Sequence, residues 1–180
     1  LLTTPLNGVT VPVTKSLDTV VDQLSIGAWF RIDKDSDTGL RRDTCYLLED
    51  QSATEATPDA WAFGVWNEGG AITLAWGTKK ITKGEWTHIA GTYDGTVLQM
   101  YVNGEKDTAA NMTGKIGRVA NPLGLGKYGG ETYVGGVDEA FLYKRALTQA
   151  EIKKLMNGWT SALAVEPSGK LATLWAGMKR

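Results

Sequence analysis

The sequence contains one cysteine and one histidine in 180 residues. Cys45 alone forms no internal disulfide, and His88 alone excludes a histidine-based metal cluster. Cys45 lies in the apolar run Cys45-Tyr46-Leu47-Leu48 and reads as a buried structural thiol. Charge of one sign is lacking too. Nineteen Lys and Arg face twenty Asp and Glu, a formal net charge of −1. A nucleic-acid binder would carry a basic face in excess, so that class is excluded. No window holds the ~18 apolar residues that a membrane-spanning helix needs. The N-terminus shows no basic region followed by an apolar run, the pattern of a signal peptide. Proline is scarce, at five residues.

Glycine and aromatics are abundant, with 22 Gly, seven Trp and six Tyr. Gly-marked turns between aromatic and β-branched runs predict an all-β fold. An early strand is expected around Val9, Val11 and Val13. Further strands are predicted over 24–32, 44–48, 60–66, 71–76, 86–93, 97–102 and 134–143. Trp61, Phe63 and Val65 alternate with Ala62, Gly64 and Trp66, giving a core face and an outer face on one strand. Asp94-Gly95 and Asn103-Gly104 read as type I′ hairpin turns. One helix is predicted. Thr148-Gln149-Ala150-Glu151 is a capping box, and Asn157-Gly158 is a stop signal. The tail 161–180 reads as a hairpin or extension beyond a domain over 1–160, its turn at Pro167-Ser168-Gly169.

Four blocks carry a resemblance. They are the run from Gly84 to Gly95 containing Trp86-Thr87-His88-Ile89-Ala90, the stretch Leu98 to Gly104, the Leu123-Gly124-Leu125-Gly126 segment, and Gly135 to Tyr143 with the Arg145-Ala146-Leu147 link and the Thr148 helix. Their order and spacing resemble laminin-G-like domains, in the pentraxin-like branch of the concanavalin A-like lectin and glucanase superfamily. The resemblance implies a two-sheet antiparallel jelly-roll sandwich with one short C-terminal helix. It also implies a module of a longer secreted or cell-surface protein. Such a module binds carbohydrate or a neighbouring protein domain, and here inserts into no membrane.

The candidate chemistry is sparse. Asp138 stands between Val137 and Ala140 with Glu139 beside it. Adjacent strand residues face opposite ways, so the two carboxylates are expected on opposite faces. The resemblance implies a structural calcium ion (Ca2+) near this strand, with Asp138 as ligand and Asn7 as the second. Calcium takes six to eight oxygens and accepts backbone carbonyls. The alternative is an Asp138 that accepts backbone N–H groups or pairs with an arginine. Asp33 to Gly39 imitates a calcium loop, but its glycine stands seventh and a strand precedes it, so it reads as a solvated connection.

No Gly-x-Ser-x-Gly motif accompanies His88, which reads as a structural residue. Glycoside hydrolysis needs two carboxylates flanking one bond. The adjacent pairs Glu49-Asp50 and Asp138-Glu139 are expected to split across faces, so a glucanase-like hydrolase or lyase is the weakest reading. Sugar recognition uses flat aromatic faces with polar groups at their rim. Trp66 is expected on the outer face beside the Asn67 turn, with Tyr128 and Tyr133 as a loop rim. Trp29 and Trp86 are expected in the core. The leading expectation is a non-catalytic recognition module. Its rival is a structural spacer packed on a neighbouring catalytic domain.

Overall fold

The protein is described by a computed structural model. It covers residues 2–3, 8–34, 38–51, 59–128 and 131–158. The tail from 159 to 180, predicted as a hairpin, lies outside the described residues, as does Asn7.

Among the described residues, fourteen strands and two helices follow in chain order. The strands are β1 (Leu2–Thr3), β2 (Val9–Val11), β3 (Leu24–Lys34), β4 (Gly39–Arg42), β5 (Tyr46–Gln51), β6 (Ala60–Trp66), β7 (Ile72–Lys80), β8 (Trp86–Tyr93), β9 (Val97–Val102), β10 (Glu105–Asn111), β11 (Leu123–Leu125), β12 (Lys127–Tyr128), β13 (Glu131–Thr132) and β14 (Val134–Tyr143). The helices are α1 (Lys15–Asp18) and α2 (Gln149–Met156). Two six-stranded antiparallel sheets form the expected sandwich, in the orders β1-β14-β3-β8-β9-β10 and β2-β11-β4-β5-β6-β7. β12 and β13 form a separate small ribbon.

The core lies between the sheets. Leu24, Ile26, Ala28, Phe30 and Ile32 of β3 point into it, and Trp61, Phe63 and Val65 of β6 meet them. This is the period-2 pattern in physical form. The inner ring of Phe63 lies against the backbone of β8, where a Cβ at Gly91 would overlap it. Glycine is therefore required there by close approach, not by a turn.

Two turns show where local chemistry decides. Asn103 (φ 51°) and Gly104 (φ 75°) make the expected two-residue connection between β9 and β10. Asp94 does not have positive φ; only Gly95 does, at 102°. The Asp94 carboxylate accepts from the Thr96 and Val97 backbone N–H groups, each at 2.8 Å. The side chain builds an Asx turn, which replaces the type I′ turn expected there.

Helix α2 covers part of the outer face of the first sheet. Thr148 caps it, accepting from the Glu151 N–H while Glu151 reaches back to the Thr148 N–H. Ile152 and Leu155, with Leu147, pack on Ala90, Tyr101 and Phe141. Ser25 anchors the link into the helix. Its hydroxyl donates to the Arg145 carbonyl (2.7 Å) and accepts from the Leu147 N–H (2.8 Å).

Candidate functional site

Beside the C-terminal end of α2 the outer face of the first sheet opens into a cleft of about 460 Å³. Trp29 of β3, Trp86 of β8, Asp138 and Glu139 of β14, and residues 156–158 line it. Strand parity sends Trp29 and Trp86 outward, because Phe30 next to Trp29 and Ile89, three residues beyond Trp86, point into the core. Both indoles are partly exposed, not buried between the sheets as expected. The indole N–H of Trp29 donates to the Met156 carbonyl at 3.2 Å, fixing the ring under the helix end. The Arg31 guanidinium lies 5.6 Å from the centre of the Trp86 ring and forks onto Asp33 at 3.0 and 2.9 Å.

The carboxylates correct a second expectation. Asp138 and Glu139 line the same cleft rather than opposite faces. The cause is a β-bulge. Asp138 pairs with Trp29 and Phe141 with Gly27, so β14 spends one more residue than β3 over the same distance. Glu139 takes the left-handed conformation, φ 50°, that admits the extra residue. The Asp138 carboxylate accepts the Glu139 N–H at 2.9 Å and holds the kink.

Calcium requires six to eight oxygens. Among the described residues no group of three or more His, Cys, Asp or Glu side chains converges. Of the two ligands expected for calcium, Asp138 is the one among the described residues, and the second, Asn7, lies outside them.

His88 lies beneath this region, 1 % exposed. Its ring meets Trp29 edge-on at 5.4 Å and stacks on Phe141 at 6.1 Å. Burial holds its pKa down at about 4. A group so placed is neutral across the ordinary working range and structural.

The remaining sequence candidates are dispersed. Trp66 lies on the outer face of the second sheet, as parity required, while Trp61 is only 2 % exposed inside. The Arg41 guanidinium stands 5.3 Å from the Trp66 ring centre and pairs with Glu49 (2.7 Å) and Asp43 (2.9 Å). Register places Leu74 and Trp76 on that same outward face, opposite Gly64 and Ala62. Tyr133 is not a rim residue. It is fully buried, packs against Phe30, and donates its hydroxyl to the Arg31 carbonyl at 3.1 Å. An aromatic ring whose hydroxyl finds a buried carbonyl is more stable inside than in a loop. Burial also pushes its pKa up. Tyr128 contributes its backbone to β12, and its side chain lies outside what is described. Trp29 and Trp86 read as core residues from the sequence, and Glu139 reads onto the opposite face because the local sign of the bulge is no more than the glycine pair Gly135-Gly136 before it.

A laminin-G profile of the concanavalin A-like lectin/glucanases superfamily matches residues 6–153. The chain belongs to this superfamily. Solved structures agree on the fold. Domain 4 of an extracellular arabinanase from Geobacillus stearothermophilus, solved with arabinotriose, superposes with a TM-score of 0.66 at 21% identity. That match covers 84% of this chain and 75% of the arabinanase domain. A Bacteroides ovatus protein, provisionally assigned as a carbohydrate binder, gives 0.64 at 25% identity. It covers 82% of this chain, which spans 42% of that protein. Domains LG4-5 of the mouse laminin α1 chain give 0.52 at 15% identity, over 82% of this chain and 40% of that one. Comparison with curated proteins returns no match. No helix among the described residues is long and apolar enough to cross a membrane.

Proposed function

We propose that the chain is a non-catalytic carbohydrate-recognition module of a secreted or cell-surface protein, and that its ligand occupies the cleft beside the end of α2. The observation that carries this reading is the joint presence of Trp29, Trp86, Asp138 and Glu139 around one cleft. Indole rings stack on sugar faces, and carboxylates accept from sugar hydroxyls. The cleft volume falls in the range of small-ligand sites. Superfamily membership and the carbohydrate-related modules among similar structures support the same reading.

A glycan array followed by titration tests it. Trp86→Ala is expected to weaken binding about tenfold or more, the loss typical of a central aromatic contact. Trp66→Ala, on the opposite sheet, is expected to leave the cleft's affinity unchanged. Loss with Trp66→Ala but not with Trp86→Ala moves the site to the second sheet. Flat signal across all glycans favours the spacer.

Calcium at Asp138 is a separate part of the proposal. With calcium at about a hundred times its dissociation constant, the fold should gain ~2.7 kcal/mol. Asp138→Asn should abolish that gain in a thermal melt. An unchanged melting temperature on adding calcium to the unaltered protein removes the ion from the reading.

A further inference from the structure

We infer that the cleft takes the end of a linear glycan chain and not its middle. This deepens the proposed function and rests on the cleft being the glycan site.

The outer face of β3 carries a gradient of burial. Ser25 and Gly27 are buried, Trp29 and Arg31 are half-buried, and Asp33 is exposed. Antiparallel register carries the gradient across β14 and β8 as three rows, each about 7 Å from the next. Gly136, Arg31 and Trp86 make the outer row. Asp138, Trp29 and His88 make the middle row. Phe141, Gly27 and Ala90 make the inner row, and it is sealed. The Phe141 ring fills the space over Gly27, where a Cβ would lie 2.6 Å from it. Ile152 and Leu155 of α2 close over Phe141 and Ala90.

Among the described residues the cleft is therefore blind at α2 and open towards Asp33. The block is held at both ends of the helix. The capping box fixes its start, and the Trp29 indole N–H is bonded to the Met156 carbonyl at its finish. Asp138 and Glu139 stand along the β14 side. The cleft volume, about 460 Å³, lies in the lower half of the range for small-ligand sites and suits a short segment.

The consequence is steric. A pyranose inside a chain carries a glycosidic bond on each side and needs two exits from its subsite. A terminal pyranose needs one. A ring lying on Trp29 meets the sealed row on one side, so its chain continues past Arg31 and Trp86 towards Asp33. A chain passing straight over the blind end would stand off the Trp29 ring and lose the aromatic contact.

Calorimetric titration at two chain lengths tests this on the unaltered protein. Linear xylan, amylose and β-1,3-glucan are each supplied as a tetramer and as a much longer chain. A single bound module per chain is expected at both lengths, with the same affinity per chain. Trp29→Ala should weaken tetramer binding about tenfold or more. The comparison of lengths needs no variant, so a misfolded variant leaves the test intact. Bound modules that increase in number with chain length overturn end recognition and leave the recognition reading standing. Tetramer affinity unchanged in a folded Trp29→Ala protein also overturns it, because the ends are then held elsewhere. Absence of binding by all three sugars overturns end recognition; only a blank glycan array as well overturns the recognition reading.

Discussion

Arg42→Met is expected to cost about 3–5 kcal/mol of unfolding free energy, the largest single loss among the variants considered. Arg42 is one of the largest buried side chains, 2 % exposed. Its guanidinium donates to the carbonyls of Leu17 (2.7 Å), Asn121 (3.0 Å) and Val119 (3.0 Å), and it pairs with Asp18. Four contacts from one planar fork thus tie α1 and the approach to β11 onto β4. Methionine keeps much of the stem volume and removes every donor. The Leu17 carbonyl then keeps only the Val20 N–H, and the part-buried carbonyls of Val119 and Asn121 lose the guanidinium, while a buried polar group left without its partner costs about 1–3 kcal/mol before relaxation. Asp18 is 37% exposed in this pair, so Asp18→Asn should cost about 1 kcal/mol or less. Arg42→Lys keeps the charge but not the fork, and should fall between the two. Urea unfolding of the three variants checks the order. A loss under about 1 kcal/mol for Arg42→Met would show that these contacts contribute little.

The second large effect is on pH. His88 titrates near pH 4 in the fold, because burial between Trp29 and Phe141 penalises the charged ring. In the unfolded chain it titrates at its ordinary value, 6.5. The folded pKa is the lower one, so protons favour the unfolded chain. Stability is therefore fully present above about pH 6.5 and is lost as pH falls towards 4. The whole shift corresponds to about 3 kcal/mol, of which about 2 kcal/mol should be gone at pH 5. The carboxylates act in a lower window. Glu151, held at about 2 by its fork with Arg145, loses its contribution only below the ordinary carboxylate range. Urea unfolding at pH 7.5 and pH 5 should show the difference, and His88→Gln should flatten it. An unchanged midpoint in the unaltered protein would contradict the burial of a neutral imidazole.

The fold was legible wherever one local rule acted alone. Strand parity put Trp61 inside and Trp66 outside. The Thr148 capping box started α2, and Asn103-Gly104 turned the chain. The site was less legible, for reasons that are physical. β3 is covered by the second sheet on one face and approached by α2 on the other, so Leu24 to Ala28 are buried without interruption. A strand buried on both faces loses its alternation. Trp29 consequently reads as core, although it borders a cleft. The bulge at Glu139 changes the facing of a side chain through one inserted residue. A count of alternate positions cannot register it, and so the carboxylate pair was divided between faces in the sequence reading. Tyr133 misled in the opposite direction. Its glycine-rich surroundings suggest a loop, while Gly135 leaves room for its ring against the backbone of β3.

The most direct measurement is a nitrogen–proton spectrum of the tryptophan indoles during titration with a glycan taken from the array. The seven Trp side chains give separate N–H signals, assigned by single substitutions. The indole of Trp29, bonded to the Met156 carbonyl, reports on the floor of the cleft, and Trp86 reports on its wall. Ligand entry should shift both signals in a saturable way and leave Trp66 in place. Saturable shifts confined to Trp66 or Trp76, with Trp29 and Trp86 unmoved, would contradict the cleft as the site of recognition.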